Sequence, residues 1–196
     1  ETCAAVGNVL FNYRMLLLHK DAKYLDVAEV ALLNNVLAAV NFAGNRFFYV
    51  NPLAADGKYP FNHGTAGRAP WFGTACCPSN MARLLPQVQG MTYAHDASNL
   101  YVTFYAESAT KVKVAGTEVA VQQATDYPND GKIHINLNPD KPATFALRLR
   151  IPTWTREQFV PGELYRYAKS GSKDNWSLTV NGKPVKMKIQ NGFAVI

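Results

Sequence analysis

The sequence predicts an α+β chain of two successive domains, helical first and then an antiparallel β-sandwich, and three observations predict it. Apolar residues recur at helical spacing through residues 1 to 41, and from about Met91 the spacing changes to alternation. Turn dipeptides such as Asp130-Gly131 and Asn181-Gly182 punctuate the alternating part. Helices followed by a run of strands, not interleaved with them, place the two kinds of element in separate domains. The boundary is expected between residues 89 and 98, giving domains 1–92 and 93–196.

Glu1 to Lys20 sets Val6, Leu10, Tyr13 and Leu17 at helical spacing, with Val9 and Leu16 widening the stripe. Asp21 is placed to cap a second helix, roughly Ala22 to Asn41, with Leu25, Ala28, Leu32, Val36 and Ala39 on one face. A turn at about His19 to Asp21 makes the two an antiparallel hairpin. Both helices are apolar around much of their circumference (Leu16, Leu17, Leu18; Ala31, Leu32, Leu33), so each is expected to pack on more than one side. Arg46 to Val50 reads as a short strand, and Asn51 to Pro70, rich in Gly, Pro, Asn and Asp, reads as a loop leading to Cys76 and Cys77. Pro78 suits the first position of a short helix carrying Met81, Ala82, Leu84, Leu85 and Val88, interrupted at Pro86. Six strands follow, at Leu100–Tyr105, Lys111–Val114, Glu118–Val121, Lys132–Leu137, Phe145–Ile151 and Ser177–Val180.

With 196 residues, 48% hydrophobic and 17% charged, the chain can fill one large core or two small ones. It has no run of 18 apolar residues, and its first residues lack the basic start and apolar core of a signal peptide, so no membrane partner is expected. The net charge of +6 is spread out, and Lys183, Lys186 and Lys188 alternate as on the solvent side of a strand, which argues against a nucleic-acid partner. Three cysteines cannot all pair within one chain, so a disulfide scaffold is disfavoured and a reactive or metal-bound thiol is left to explain.

Cys76 and Cys77 fall at a helix N-terminus, where unpaired amides and the positive end of the helix dipole favour a thiolate over a thiol. A thiolate can attack a carbon or hold a metal, and the bland alternative is a buried, inert pair. Four longer stretches bear on the choice: Glu1-Thr-Cys-Ala at a helix start, Phe47-Phe-Tyr-Val-Asn-Pro, Trp71-Phe-Gly-Thr-Ala-Cys-Cys-Pro-Ser-Asn-Met-Ala-Arg, and Arg148-Leu-Arg-Ile-Pro-Thr-Trp. Together, in this order and along essentially the whole chain, they resemble the cysteine-dependent β-L-arabinofuranosidases of glycoside hydrolase family 127 and close relatives. The resemblance implies the last part of an (α/α)6 barrel followed by a β-sandwich incomplete at its C-terminal end. It implies zinc held by Glu1, Cys3, Cys76 and Cys77, with Cys76 as nucleophile and Tyr49 as an active-site tyrosine. It also implies an arabinose-containing plant glycan or oligosaccharide as substrate, and the missing N-terminal part of the barrel as the partner that covers the helices. The compartment stays open between bacterial cytoplasm and periplasm.

One carboxylate and three thiolates suit a tetrahedral zinc shell and account for every cysteine. The family often has a further cysteine where this chain has Thr74. Its acid/base glutamate and sugar-binding histidines have no counterpart here, since Glu29, Glu107, Glu118, Glu157 and Glu163 do not match it. Of His19, His63, His95 and His134, only His63 lies in the loop near the cysteines. The rival expectations are a noncatalytic module in which zinc only braces the fold, and a metal-free protein with a Cys3 to Cys76 disulfide.

Overall fold

The computed structural model describes residues 1–169 and 176–196. It divides into two compact units, Glu1–His19 with Tyr24–Gln89, and Lys20–Lys23 with Gly90–Ile196.

The first unit begins with helix α1, Thr2–His19, which buries Val6, Val9 and Leu16 as its spacing predicts but leaves Leu17 and Leu18 exposed. Helix α2 spans Lys23–Ala31, and Asp21 accepts the Lys23 backbone N–H at 3.0 Å, the expected cap. The helical course continues to Ala39, but as a π turn over Leu32–Val36 and a 3₁₀ turn over Leu37–Ala39. The asparagine pair Asn34-Asn35 lies in the π turn, where the Asn35 carbonyl accepts from the Asn51 side chain at 3.3 Å, so an outside donor competes with helical bonding there. The predicted face Leu25, Ala28, Leu32, Val36 and Ala39 is buried throughout.

Arg46 to Val50 does not form the predicted strand, and the chain bends at Tyr49 and Val50. Only Phe47 bridges its neighbours, Val40 on one side and Ala69 on the other. The Phe48 amide makes the last bond of the bridge, to the Ala39 carbonyl, and the ladder stops there because the amides of Tyr49 and Val50 are taken by the side-chain oxygen of Asn62. Helix α3, Cys76–Val88, packs on α1. It starts two residues earlier than expected, which moves Pro78 to the third helical position, where an N–H would still lack an intrahelical partner. It also runs past Pro86, which falls in the last turn, so little helix remains to be disrupted.

The second unit has a five-stranded sheet in the order β1 (Tyr93–His95), β2 (Asn99–Val102), β6 (Ala146–Arg150), β10 (Phe193–Val195), β9 (Lys188–Gln190). A three-stranded sheet holds β3 (Ser108–Val114), β4 (Thr117–Thr125) and β5 (Ile133–Pro139), and β7 (Thr179–Val180) pairs with β8 (Lys183–Pro184). Every pairing is antiparallel except β2 with β6, a departure from the all-antiparallel expectation. The meander β3 to β5 intervenes between those two strands, and a connection of that length lets the chain return in the same direction. Alternation along β4 sends Val119 and Val121 inward to join Leu100, Val112 and Val114, with Ile135, Leu137 and Leu147 packed against them, so the two larger sheets share an apolar layer. Asn181 and Gly182 take φ of 50° and 76° and join β7 to β8 as a primed hairpin turn. Gly192 follows Asn191 in the turn from β9 to β10, and a Cβ there would stand 2.7 Å from the Cβ of Ala22, so this approach admits only glycine.

Candidate active site

Two helix starts and one irregular segment build the site. Thr2, fully buried, donates its backbone N–H to the Tyr49 carbonyl at 3.0 Å and its hydroxyl to the Phe48 carbonyl at 2.8 Å, which fixes Glu1 and Cys3 against residues 48–49. Cys76 and Cys77 occupy the first two positions of α3. The Tyr49 segment is held in turn by Asn62. Its carboxamide oxygen accepts from the amides of Tyr49 and Val50 at 2.8 and 3.2 Å, and its nitrogen donates to the carbonyls of Phe47 and Gly67 at 3.2 and 2.9 Å.

The result is convergence. One ligand atom from each of Glu1, Cys3, Cys76 and Cys77 lies within 4.8 Å of all the others. The Cys77 sulfur is 3.8 Å from a Glu1 carboxylate oxygen, the Tyr49 hydroxyl is 3.4 Å from the Cys76 sulfur, and the Asn80 side-chain nitrogen is 3.3 Å from the Cys3 sulfur. All three cysteines are free thiols. Cys77 is buried, Cys3 and Cys76 are half-buried and Glu1 is exposed, so the cluster opens to solvent on one side.

The sulfurs are not equivalent. The Tyr49 hydroxyl, and next the contact with Cys3, hold the Cys76 thiol below its ordinary range. The same hydrogen bond, with the neighbouring Cys76 and Glu1 charges, pushes the Tyr49 phenol up to about 12. Burial raises Cys77 and Cys3, in the latter case against the opposing hydrogen bond from Asn80. Cys76 is therefore the first of the three to ionise. As a donor set the four residues fit a borderline-soft divalent ion: tetrahedral Zn–S bonds of about 2.3 Å would set sulfurs about 3.8 Å apart, a modest contraction of the observed cluster.

Around Tyr49 three rings meet edge to face, with His63 at 4.4 Å and Phe72 at 5.6 Å between centroids. His63 is exposed beside this contact, whereas the exposed His19, His95 and His134 take no part in the cluster. Thr74 and the other glutamates are outside it as well. Thr2, Asn62, Phe72 and Asn80 are contributors that the motifs did not single out. Thr2, Phe72 and Asn80 lie within the motif stretches without a role assigned there, Asn80 one helical turn after Cys76, and Asn62 lies outside them.

A helical unit that gathers three sulfurs and a carboxylate, followed in the chain by a strand unit, defines a two-part protein with a thiol-rich metal-type site. Residues 1–90 match the β-L-arabinofuranosidase GH127 catalytic domain, and residues 99–196 match the β-L-arabinofuranosidase GH127 middle domain. The chain belongs to the GH127 β-L-arabinofuranosidase family. It is 31% identical over 203 aligned residues to a non-reducing end β-L-arabinofuranosidase of Bifidobacterium longum subsp. longum, covering 100% of this chain and 28% of that protein. A solved GH127 β-arabinofuranosidase superposes with a TM-score of 0.91 at 41% identity, over 100% of this chain and 30% of the other. A GH127 β-L-arabinofuranosidase from Geobacillus stearothermophilus T6 gives 0.83 at 35%, over 100% and 29%. The chain thus spans less than a third of the length of these relatives.

Proposed function

We propose that this chain is the nucleophile-bearing part of a longer retaining glycoside hydrolase that releases non-reducing terminal β-L-arabinofuranose from arabinose-containing plant glycans. In this proposal residues 1–92 belong to an (α/α)6 barrel and residues 93–196 to a β-sandwich. The observation that carries it is the meeting of Cys76 with both the Tyr49 hydroxyl and the Glu1, Cys3 and Cys77 ligand atoms. Glu1, Cys3, Cys76 and Cys77 would hold zinc, which when bound supplies a positive charge that keeps the sulfurs ionised. The Cys76 thiolate attacks the anomeric carbon, the bond from that carbon to the leaving oxygen breaks, and the sugar is carried on sulfur. Tyr49 donates its hydroxyl hydrogen to the Cys76 sulfur and so orients it. The departing oxygen needs a proton, and no acid of residues 1–196 is assigned to supply it. Water then gives a proton to the group that protonated the leaving oxygen and displaces the sulfur at the anomeric carbon, restoring the thiolate, so two inversions give net retention.

The test uses the full-length protein and an arabinofuranose bearing a haloacetamide group. Support would be a single adduct on Cys76 prevented by arabinose, together with loss of turnover in Cys76→Ser and loss of zinc content in Cys3→Ser. Equal inertness of all three cysteines, or normal turnover by Cys76→Ser, would overturn the proposal; the first outcome would favour a noncatalytic zinc-braced module.

A further inference from the structure

The three sulfurs keep different company. Cys76 meets the Tyr49 hydroxyl, and Cys77 is buried against Glu1 and the Tyr49 carbonyl, 3.9 Å away. The Cys3 sulfur has a side-chain amide donor, Nδ2 of Asn80, 3.3 Å away. Asn80 is half-buried and stands four residues after Cys76 on α3, so the helix that supplies two of the sulfurs also supplies the donor for the third. Its orientation follows from charge, because turning the carboxamide over would press a carbonyl oxygen on the sulfur lone pairs.

The charges give this contact a purpose. Three thiolates and one carboxylate carry four negative charges, and a divalent ion neutralises two of them. The remaining two must be spread onto donors around the shell, and groups that hydrogen-bond to metal ligands typically account for a 10- to 100-fold difference in metal affinity. Asn80 is placed to do this at Cys3, where the amide would also fix the rotamer of a ligand borne on a different helix.

We infer that Asn80 is a positioning residue of the Glu1/Cys3/Cys76/Cys77 cluster, its side-chain amide donating to the Cys3 sulfur so that the cluster can hold a thiophilic divalent ion. The inference rests on the metal-holding part of the proposed function. It does not depend on which sugar is cleaved, or on any being cleaved.

The experiment titrates the full-length protein with Co²⁺ alone, following the sulfur-to-cobalt charge-transfer band, in wild type, Asn80→Ala and Asn80→Asp. Asn80→Ala should bind Co²⁺ about 10- to 100-fold more weakly, with the band moved to longer wavelength because the sulfur has lost its donor. Asn80→Asp has the shape of asparagine but sets a carboxylate beside sulfur, and should bind more weakly still. A merely structural residue gives the opposite order, the isosteric variant being the milder. The inference is overturned if wild type binds no Co²⁺, if neither variant changes affinity and band, or if Asn80→Asp binds more tightly than Asn80→Ala. Should the variants not fold, ¹¹³Cd-loaded wild type decides: a scalar coupling from the Asn80 side-chain amide proton to ¹¹³Cd supports the contact, and its absence overturns it. The expected Co²⁺ order without arabinofuranoside turnover by wild type would sink the proposed function and leave this inference standing. Turnover by wild type with unchanged metal binding in both variants would do the reverse.

Discussion

In the proposed mechanism the chemistry turns on Tyr49 and Cys76, and the hydroxyl between them has a measurable worth. A hydrogen bond to a charged acceptor contributes about 1.5 to 3 kcal/mol, so Tyr49→Phe in the full-length protein should lower kcat/KM by roughly 10- to 100-fold. The ring, wedged between His63 and Phe72, keeps its place in phenylalanine, so zinc content should stay at the wild-type level. A Tyr49→Phe enzyme with unchanged kcat/KM would mean that the hydroxyl is only packing. Cys76 and Cys77 were legible in sequence from their chemistry at a helix start, and Glu1 and Cys3 through the family resemblance. Asn62 and Asn80 were not, because asparagine is common in loops and on helix surfaces, and only three-dimensional neighbours distinguish a buried clamp from a solvated side chain.

The Phe47 to Val50 segment shows how an element can look right in sequence and still form otherwise. Its aromatic and β-branched residues favour a strand, yet Asn62 takes two of its amides and Thr2 donates to two of its carbonyls, leaving no edge for a ladder. Asn62→Ala would leave those amides unbonded in a buried place, at a cost of about 2 to 5 kcal/mol. The expected result is a lower denaturant midpoint together with reduced metal content, since Tyr49 and Thr2 would lose their mooring; an unchanged midpoint would show that water replaces the amide. The Asp96 turn carries a second prediction. Burial pushes the Asp96 carboxyl up, but bonds from Lys20, Asn99 and the Ser98 amide outweigh it and hold the group well below the ordinary carboxylate range. A folded-state pKa below the unfolded one adds stability above about pH 4 that is lost as pH falls through the acid range. Asp96→Asn should therefore lower Tm at pH 7 and narrow that gap toward pH 3; a gap constant over that span would assign the loss to packing instead.

At the scale of the whole chain, the order of elements was legible because helical and alternating periodicities are long-range signals that a single substitution does not erase. The parallel pairing of β2 with β6 was not, because pairing direction depends on where a connection returns. Strands as short as β1, β9 and β10 offer too few residues for alternation to register. Exposure settles a larger matter. In the helical unit Phe11, Leu18 and Leu37 are 61%, 72% and 41% exposed, on helices that the sequence expected to be covered on more than one side. Fully burying each such side chain is worth about 1.5 to 3 kcal/mol, against a total margin of order 10 kcal/mol for a domain. Since the chain spans 28% to 30% of its relatives, we expect the remainder of such a protein to cover these residues. Residues 1–196 expressed alone should then bind a hydrophobic dye, melt without cooperativity in the helical part and show no arabinofuranosidase activity. Addition of the remaining part of the full-length protein should suppress dye binding and restore a cooperative transition. A monomeric, cooperatively melting fragment that ignores the dye would show that these side chains need no cover.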